Sequence, residues 1–244
     1  MNLNEKHFKK LSSSYNIVGS KIKNLSDFRK NDLEQSRSFF TSSSLLNNSP
    51  DPIEVDVYAI LSGISFPPSF LDFIENIYED LSDILGKSCH YLVNKENLGV
   101  EYAVLKWPND HQNLSIVSQA TDILKHYQLN PFNLKIFGIQ VHTDGCIVLK
   151  GVDEGQEIFA LRKKIVDSIK EIPKKQSSWA HIPLGRILEP LGVKKMMALK
   201  SLISETNIKL DYDLIIDKIH LVHEKKWYME KKEYIFSKLL NCSK

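Results

Sequence analysis

Trp179-Ala180-His181-Ile182-Pro183-Leu184-Gly185-Arg186-Ile187-Leu188 is the stretch whose reading decides the fold. A histidine opens a short apolar strand and a basic residue closes it. With side chains alternating across a strand, Trp179, His181, Pro183 and Gly185 fall on one face. Ile182, Leu184 and the aliphatic stem of Arg186 fall on the other. That second face can pack on helices. The first offers a single imidazole among small or rigid neighbours, which leaves room for a ligand.

An earlier segment repeats the outline. Glu101-Tyr102-Ala103-Val104-Leu105-Lys106 has a polar head, small or aliphatic residues at alternate positions, then a basic residue. Two such strands, one from each half of the chain, point to a bilobed fold with a groove where the halves meet.

Between and around these strands the periodicity supplies the remaining elements. Val55 to Leu61 reads as a strand. Phe70, Ile74, Ile77, Leu81 and Ile84 then recur at helical spacing, and Gly86 stands where a C-terminal cap belongs. His90 to Val93 and Val100 to Lys106 are strands, and a helix follows Pro108-Asn109-Asp110. Apolar runs on both sides of Asp144-Gly145 make a hairpin. Ile158, Leu161, Ile165 and Ile169 mark a helix, as do Met196, Leu199 and Ile203. Strands near Leu214 to His223 and Tyr234 to Leu239 close the chain. This order predicts an α+β protein with two antiparallel sheets lining a central groove and the helices outside.

Residues 1–50 differ. They are rich in Ser, Asn and Lys, and their periodicity is poor, although Phe8, Leu11, Ile17, Ile22, Phe39 and Phe40 are candidates for docking. The composition predicts a flexible or loosely docked tail over 1–50, ahead of a domain over 51–244.

The charge balance limits the partners. Of 244 residues, 32 are basic and 30 acidic, a formal net charge of +2. That argues against a protein coating long nucleic acid, which carries a marked basic excess, and permits a small phosphorylated ligand or the end of an RNA strand. Cys89, Cys146 and Cys242 are far apart and form no CxxC pair, so a reducing cytoplasmic setting is expected. No apolar run reaches the length of a membrane span, and no secretory leader is visible. A monomer is expected.

The element order, His181-Ile182-Pro183-Leu184-Gly185-Arg186, and the closing Ile219-His220-Leu221-Val222 with Tyr234-Ile235-Phe236 together resemble the 2H phosphoesterase superfamily over roughly residues 55–240. This group comprises the 2′,5′ RNA ligase-like proteins and cyclic nucleotide phosphodiesterases. The resemblance implies two His-x-Thr/Ser strands facing each other across the groove. One histidine would act as base and the other as acid on a 2′,3′-cyclic phosphate or 2′,5′ linkage, with neither metal nor another cofactor. Imidazole suits both roles because it titrates near neutrality.

The chain departs from that pattern. His181 stands in the second motif, but Pro183 takes the hydroxyl position and offers a phosphate neither hydroxyl nor N–H. In the first motif, one register places Glu101 and Ala103 in the histidine and hydroxyl slots, and the other places Gly99 and Glu101 there. Neither supplies a first histidine. A carboxylate in the hydroxyl slot repels phosphate unless protonated or paired, whereas one in the histidine slot can share acid–base work with His181. The resemblance therefore implies His181 and Glu101 as acid–base candidates. Trp179, Pro183, Arg186, Gly99, Ala103 and Tyr58 are the candidate ligand contacts, and a nucleotide or RNA end is the ligand. The alternative is a catalytically inactive relative that binds nucleotide, RNA or another protein.

Other histidines read as structural. His142 lies beside the Asp144-Gly145 turn and reads as hairpin surface. His220-x-x-His223 places its imidazoles on opposite faces of a strand, where one metal ion does not meet both. Trp107 and Trp179 each stand at the end of a motif strand, where an aromatic can stack on a base, and Trp179 is the better placed.

Overall fold

The computed structural model describes residues 3–111 and 114–240. Its first sheet is built around β1 (Glu54–Gly63), buried without interruption from Val57 to Ser62. β3 (Gly99–Lys106) and β8 (Lys218–Lys226) flank it, and β9 (Lys231–Leu239) closes the edge in the order β3-β1-β8-β9. The second sheet comprises β2 (His90–Leu92), β4 (Phe132–Val141), β5 (Cys146–Asp153), β6 (Ile182–Ile187) and β7 (Tyr212–Ile216), in the order β2-β6-β5-β4-β7. Every pairing in both sheets is antiparallel. The run expected as one strand from 214 to 223 is two strands in different sheets, β7 and β8, separated by the single residue Asp217.

Local chemistry explains the boundaries. Helix α4 (Pro68–Leu85) opens on a proline at its first position and stops at Gly86, whose φ of 53° suits a residue without Cβ. It buries Phe70, Ile74, Ile77, Leu81 and Leu85, each worth roughly 1.5–3 kcal/mol over exposure. The β4–β5 hairpin turns at Gly145, φ 85°, where a Cβ would stand 2.2 Å from the Ile187 carbonyl oxygen. Asp144 Oδ1 there accepts the Cys146 N–H at 3.0 Å.

Helices α5 (Leu114–His126) and α6 (Glu157–Ser168) pack against β9 and β3 of the first sheet; α7 (Val193–Lys209) packs on β4 of the second and against α4. Among the described residues no helix is long and apolar enough to cross a membrane. Cys89 and Cys146 are buried free thiols, and Cys242 lies outside the described residues.

Two bulges decide which side chains face the seam where β3 and β6 meet. In β3, Ala103 pairs with Ile60 while Glu101 pairs with Leu61, so Tyr102 is an extra residue. Paired residues share a face. Ala103 therefore turns into the core with Ile60. Gly99 and Glu101 stay on the opposite face with Gly63 and Leu61. In β6, Pro183 pairs with Val148 and Gly185 with Ile147, which makes Leu184 the extra residue. Arg186, paired with Cys146, is thereby brought to the face of Pro183, not to the greasy side.

The N-terminal segment, expected as a flexible or loosely docked tail, is helical and lies against the second sheet. It forms α1 (Leu3–Lys23), α2 (Lys30–Arg37) and α3 (Ser42–Leu46). Leu11, Tyr15, Ile22, Phe28, Leu33 and Phe40 are buried, whereas Phe8 and Ile17 are exposed. Helix α1 lies against β4 and β5, and α2 against β6. Leu11 and Tyr15 cluster with Val152 and, beside them, Phe137 and Trp179. Val152 alternates with Val148 on the face of β5 turned away from the main core. Through Leu11 and Tyr15, α1 thus stands on the face of the second sheet turned away from the main core.

Candidate functional site

The two motif strands are tied together by Arg162 of α6. Its Nε donates to the Tyr102 carbonyl at 2.6 Å; its Nη2 donates to the Glu101 carbonyl at 2.8 Å and the Trp179 carbonyl at 3.0 Å. One guanidinium thus holds β3 of the first sheet and the approach to His181 of the second. The residue sits on the buried face of a helix and drew no notice as sequence, because a mid-helix arginine reads as solvated surface.

His181 immediately precedes β6. Its imidazole stands edge-on to Trp179, with ring centroids 5.8 Å apart. Burial is the main cause that lowers its pKa to about 3, helped by His142, Arg162 and Arg186. It is therefore neutral at pH 7. Its Nδ1 is buried with no hydrogen-bond partner among the described residues.

On β3, the Glu101 carboxyl is pushed up to about 7 by burial, against the pull of Arg162. Glu224 on β8 is also raised to about 7, by burial and in part by Glu101, although the Met229 N–H donates to it at 2.9 Å. One wall thus carries carboxyls that hold protons, and the other a histidine that does not.

The bulge decides which residues of β3 share a face. With Ala103 in the core, the pair that faces the seam is Gly99 and Glu101. A Cβ at Gly99 would stand 3.1 Å from the Ser62 carbonyl oxygen and 3.3 Å from Leu61 Cδ1. Leu61 therefore crowds the slot where a first histidine would begin.

The remaining candidates divide. Pro183 is on the seam face and half-buried. Arg186 is fully engaged: Nη1 donates to Asp144 Oδ2 at 3.1 Å and Ser36 Oγ at 2.9 Å, and Nε to the Tyr228 hydroxyl at 3.0 Å. Ala103, in the core, is removed from the ligand contacts. So is Tyr58, which pairs with Lys106 and His223 on the face opposite Glu101. Its ring stacks on His223 at 4.3 Å, and His223 in turn meets Asp56 Oδ1 at 2.7 Å. His220 pairs with Leu61 on the other face and meets Ser237 Oγ at 2.8 Å, so the two β8 histidines stand apart as expected. Trp107 is engaged by the Lys175 carbonyl at 3.2 Å.

His142 is more than hairpin surface. Its ring lies edge-on to Trp179 at 5.3 Å, its Nε2 meets Gln140 Nε2 at 2.9 Å, and its charge would be felt at His181. Trp179 is itself occupied, with the Tyr15 ring 4.7 Å from its own and its Nε1 donating to Ser14 Oγ at 2.7 Å.

No protein-family model matches the sequence, and no curated protein matches it at a significant level. Solved structures do. The conserved protein of unknown function ATU0111 from Agrobacterium tumefaciens str. C58 superposes with a TM-score of 0.56 at 13% identity, over 75% of this chain and 86% of that one. TT0787 of Thermus thermophilus gives 0.52 at 13% identity, over 75% of this chain and 97% of its own. E. coli LigT in apo form gives 0.49 at 13% identity, over 78% and 100%. At such identities the likeness concerns the fold. Two antiparallel sheets meet where β3 approaches β6, and Arg162 ties the Glu101 and Trp179 carbonyls together there. The chain has the 2H phosphoesterase fold.

Proposed function

We propose that this protein is a metal-independent phosphoesterase-like protein that takes a 2′,3′-cyclic nucleotide or an RNA end between its two sheets. His181 acts as base and Glu101 as acid. The observation that carries this reading is the Arg162 brace, which holds the backbones of Glu101 and Trp179 to one guanidinium and so brings the two motif strands together. The electrostatics support the division of roles. Burial leaves His181 unprotonated and keeps a proton on much of the Glu101 population near pH 7, the starting protonation states of a base and an acid. In hydrolysis of a cyclic phosphate, His181 would take a proton from the attacking water. Glu101 would give one to the departing ribose oxygen as the P–O bond breaks.

A second reading rests on two particular residues. Gly99 and Pro183 leave the seam without the paired imidazole and hydroxyls of the family pattern, which favours binding without turnover.

Hydrolysis of 2′,3′-cyclic AMP in the presence of a chelator, with His181→Ala and Glu101→Gln, separates the readings. Catalysis predicts chelator-resistant turnover that His181→Ala lowers by ~10²–10⁴-fold, with Glu101→Gln also impaired. A binding module predicts no turnover but calorimetric binding of 2′-AMP. Turnover indifferent to both substitutions, or no interaction at all, would overturn the proposal.

A further inference from the structure

We propose that helix α1 is an intramolecular cover, seated on the ligand face of the second sheet, and that it must swing away before a nucleotide reaches His181. The proposal rests on the seam reading above. Helix α1 stands on Trp179, which flanks the imidazole, and on the side-chain partner of His142. On one side, Tyr15 lies against Trp179 at 4.7 Å and Ser14 accepts its indole N–H at 2.7 Å, so Tyr15 holds the place a nucleobase would take on that platform. On the other, Gly19 approaches Gln140 so closely that a Cβ there would lie 2.9 Å from its Oε1, and Gln140 is the hydrogen-bond partner of His142.

Helix α1 is held through side chains: the Tyr15 hydroxyl donates to the Gly151 carbonyl at 3.2 Å, and the His7 ring stands edge-on to Phe159. Of the described α1 residues only Leu11, Tyr15 and Ile22 are buried. At its start, His7 Nε2 stands 3.5 Å from Asp153 Oδ1, and both atoms are buried without a hydrogen bond among the described residues, a pairing that docking leaves incomplete.

Beyond the helix the chain is clamped. The Asp27 carboxylate accepts the Leu191 and Gly192 N–H groups at 2.9 and 2.8 Å, and Lys200 Nζ donates to the Lys23 and Leu25 carbonyls at 3.0 and 2.5 Å. Arg37 then donates to the Leu188 carbonyl at 2.7 Å. A helix seated on side chains, next to a segment hydrogen-bonded to residues 188–192 and to Lys200, can swing as a flap about residues 23–27. TT0787 is matched over 97% of its length by 75% of this chain, so about a quarter of this chain has no counterpart there.

The test uses the full-length protein and 2′,3′-cyclic AMP as probe. Leu11→Ser with Tyr15→Ala should raise its affinity about tenfold or more, as when a competent state populated at about 10% becomes dominant. Gly19→Cys with Gln140→Cys, oxidised, should lower it at least as far, with recovery on reduction. Equal binding by locked and reduced protein, or no gain on loosening, overturns the proposal. If no form binds the probe, the seam reading fails and hydrogen exchange decides on the cover alone. Exchange of α1 amides through an opening that leaves β5 protected supports the flap, and exchange of both only together overturns it.

Discussion

The two walls of the seam respond to burial in opposite directions. On the β3–β8 wall, Glu101 and Glu224 are raised to about 7, whereas on the β6 wall His181 falls to about 3. One cause acts on both, since removal from water disfavours the charged form of either kind of group. The difference lies in the company. The histidine has His142, Arg162 and Arg186 around it, all of which oppose its protonation, while Glu101 is partly relieved by Arg162. The same guanidinium thus helps keep His181 neutral and limits how far Glu101 departs from its usual range. An asymmetric pair can therefore arise where the family pattern has two alike residues.

The sharpest way to break this comparison is to remove the shared cation. Arg162→Met leaves three carbonyls without their donor and should cost ~3–5 kcal/mol. For a chain of this size, that is a fall in Tm on the order of 10 °C. If the two walls are held independently, calorimetry will show a loss of about 1 kcal/mol or less, within the ordinary range for single substitutions.

A smaller effect separates the two motif slots. Gly99→His forces a side chain against Leu61 and the Ser62 carbonyl, at ~1–3 kcal/mol for overpacking. Pro183→Thr, on a half-buried strand position, should change stability by about 0.5 kcal/mol or less. Urea unfolding of both variants checks this; equal costs would mean that the first slot is as open as the second.

The mildest effect lies in the pH dependence. Glu101 has a folded pKa above its unfolded value of 4.5. Its share of stability is therefore intact below pH 4.5 and declines as pH rises towards 7. His181, lowered from 6.5, behaves oppositely: its contribution is present above pH 6.5 and is lost as pH falls towards 3. Glu101→Gln should therefore gain stability relative to the wild type between pH 5 and 7.5, and His181→Gln should gain between pH 6 and 4. Differences in Tm that stay flat with pH in both variants would show the groups to be solvated.

Much of the architecture was legible because apolar periodicity and turn chemistry act locally. The α4 stripe from Phe70 to Leu81 and the Asp144-Gly145 hairpin are cases where neighbouring residues decide the element. The bulges were not legible. An inserted Tyr102 or Leu184 changes every face beyond it, yet a bulge is specified by the partner strand, not by the residues within it. Hence simple alternation puts Ala103 and Arg186 on the wrong faces. The docking of α1 was hidden for another reason: Leu11, Tyr15 and Ile22 are three apolar anchors in a helix of lysines and serines, too few to stand out as a stripe. Arg162 was invisible because its work is done entirely on backbone carbonyls contributed by segments far away in sequence.

Asp217 has a mechanical consequence. It alone separates β7 in the second sheet from β8 in the first, and the Leu240 N–H donates to its carbonyl at 2.7 Å. One residue spans only ~3.5 Å, so the sheets are stitched at this point as pages are at a spine. Rotation of one sheet away from the other would have to be absorbed by the two torsions of Asp217. The two sheets are thereby kept within one residue's reach of each other at this point.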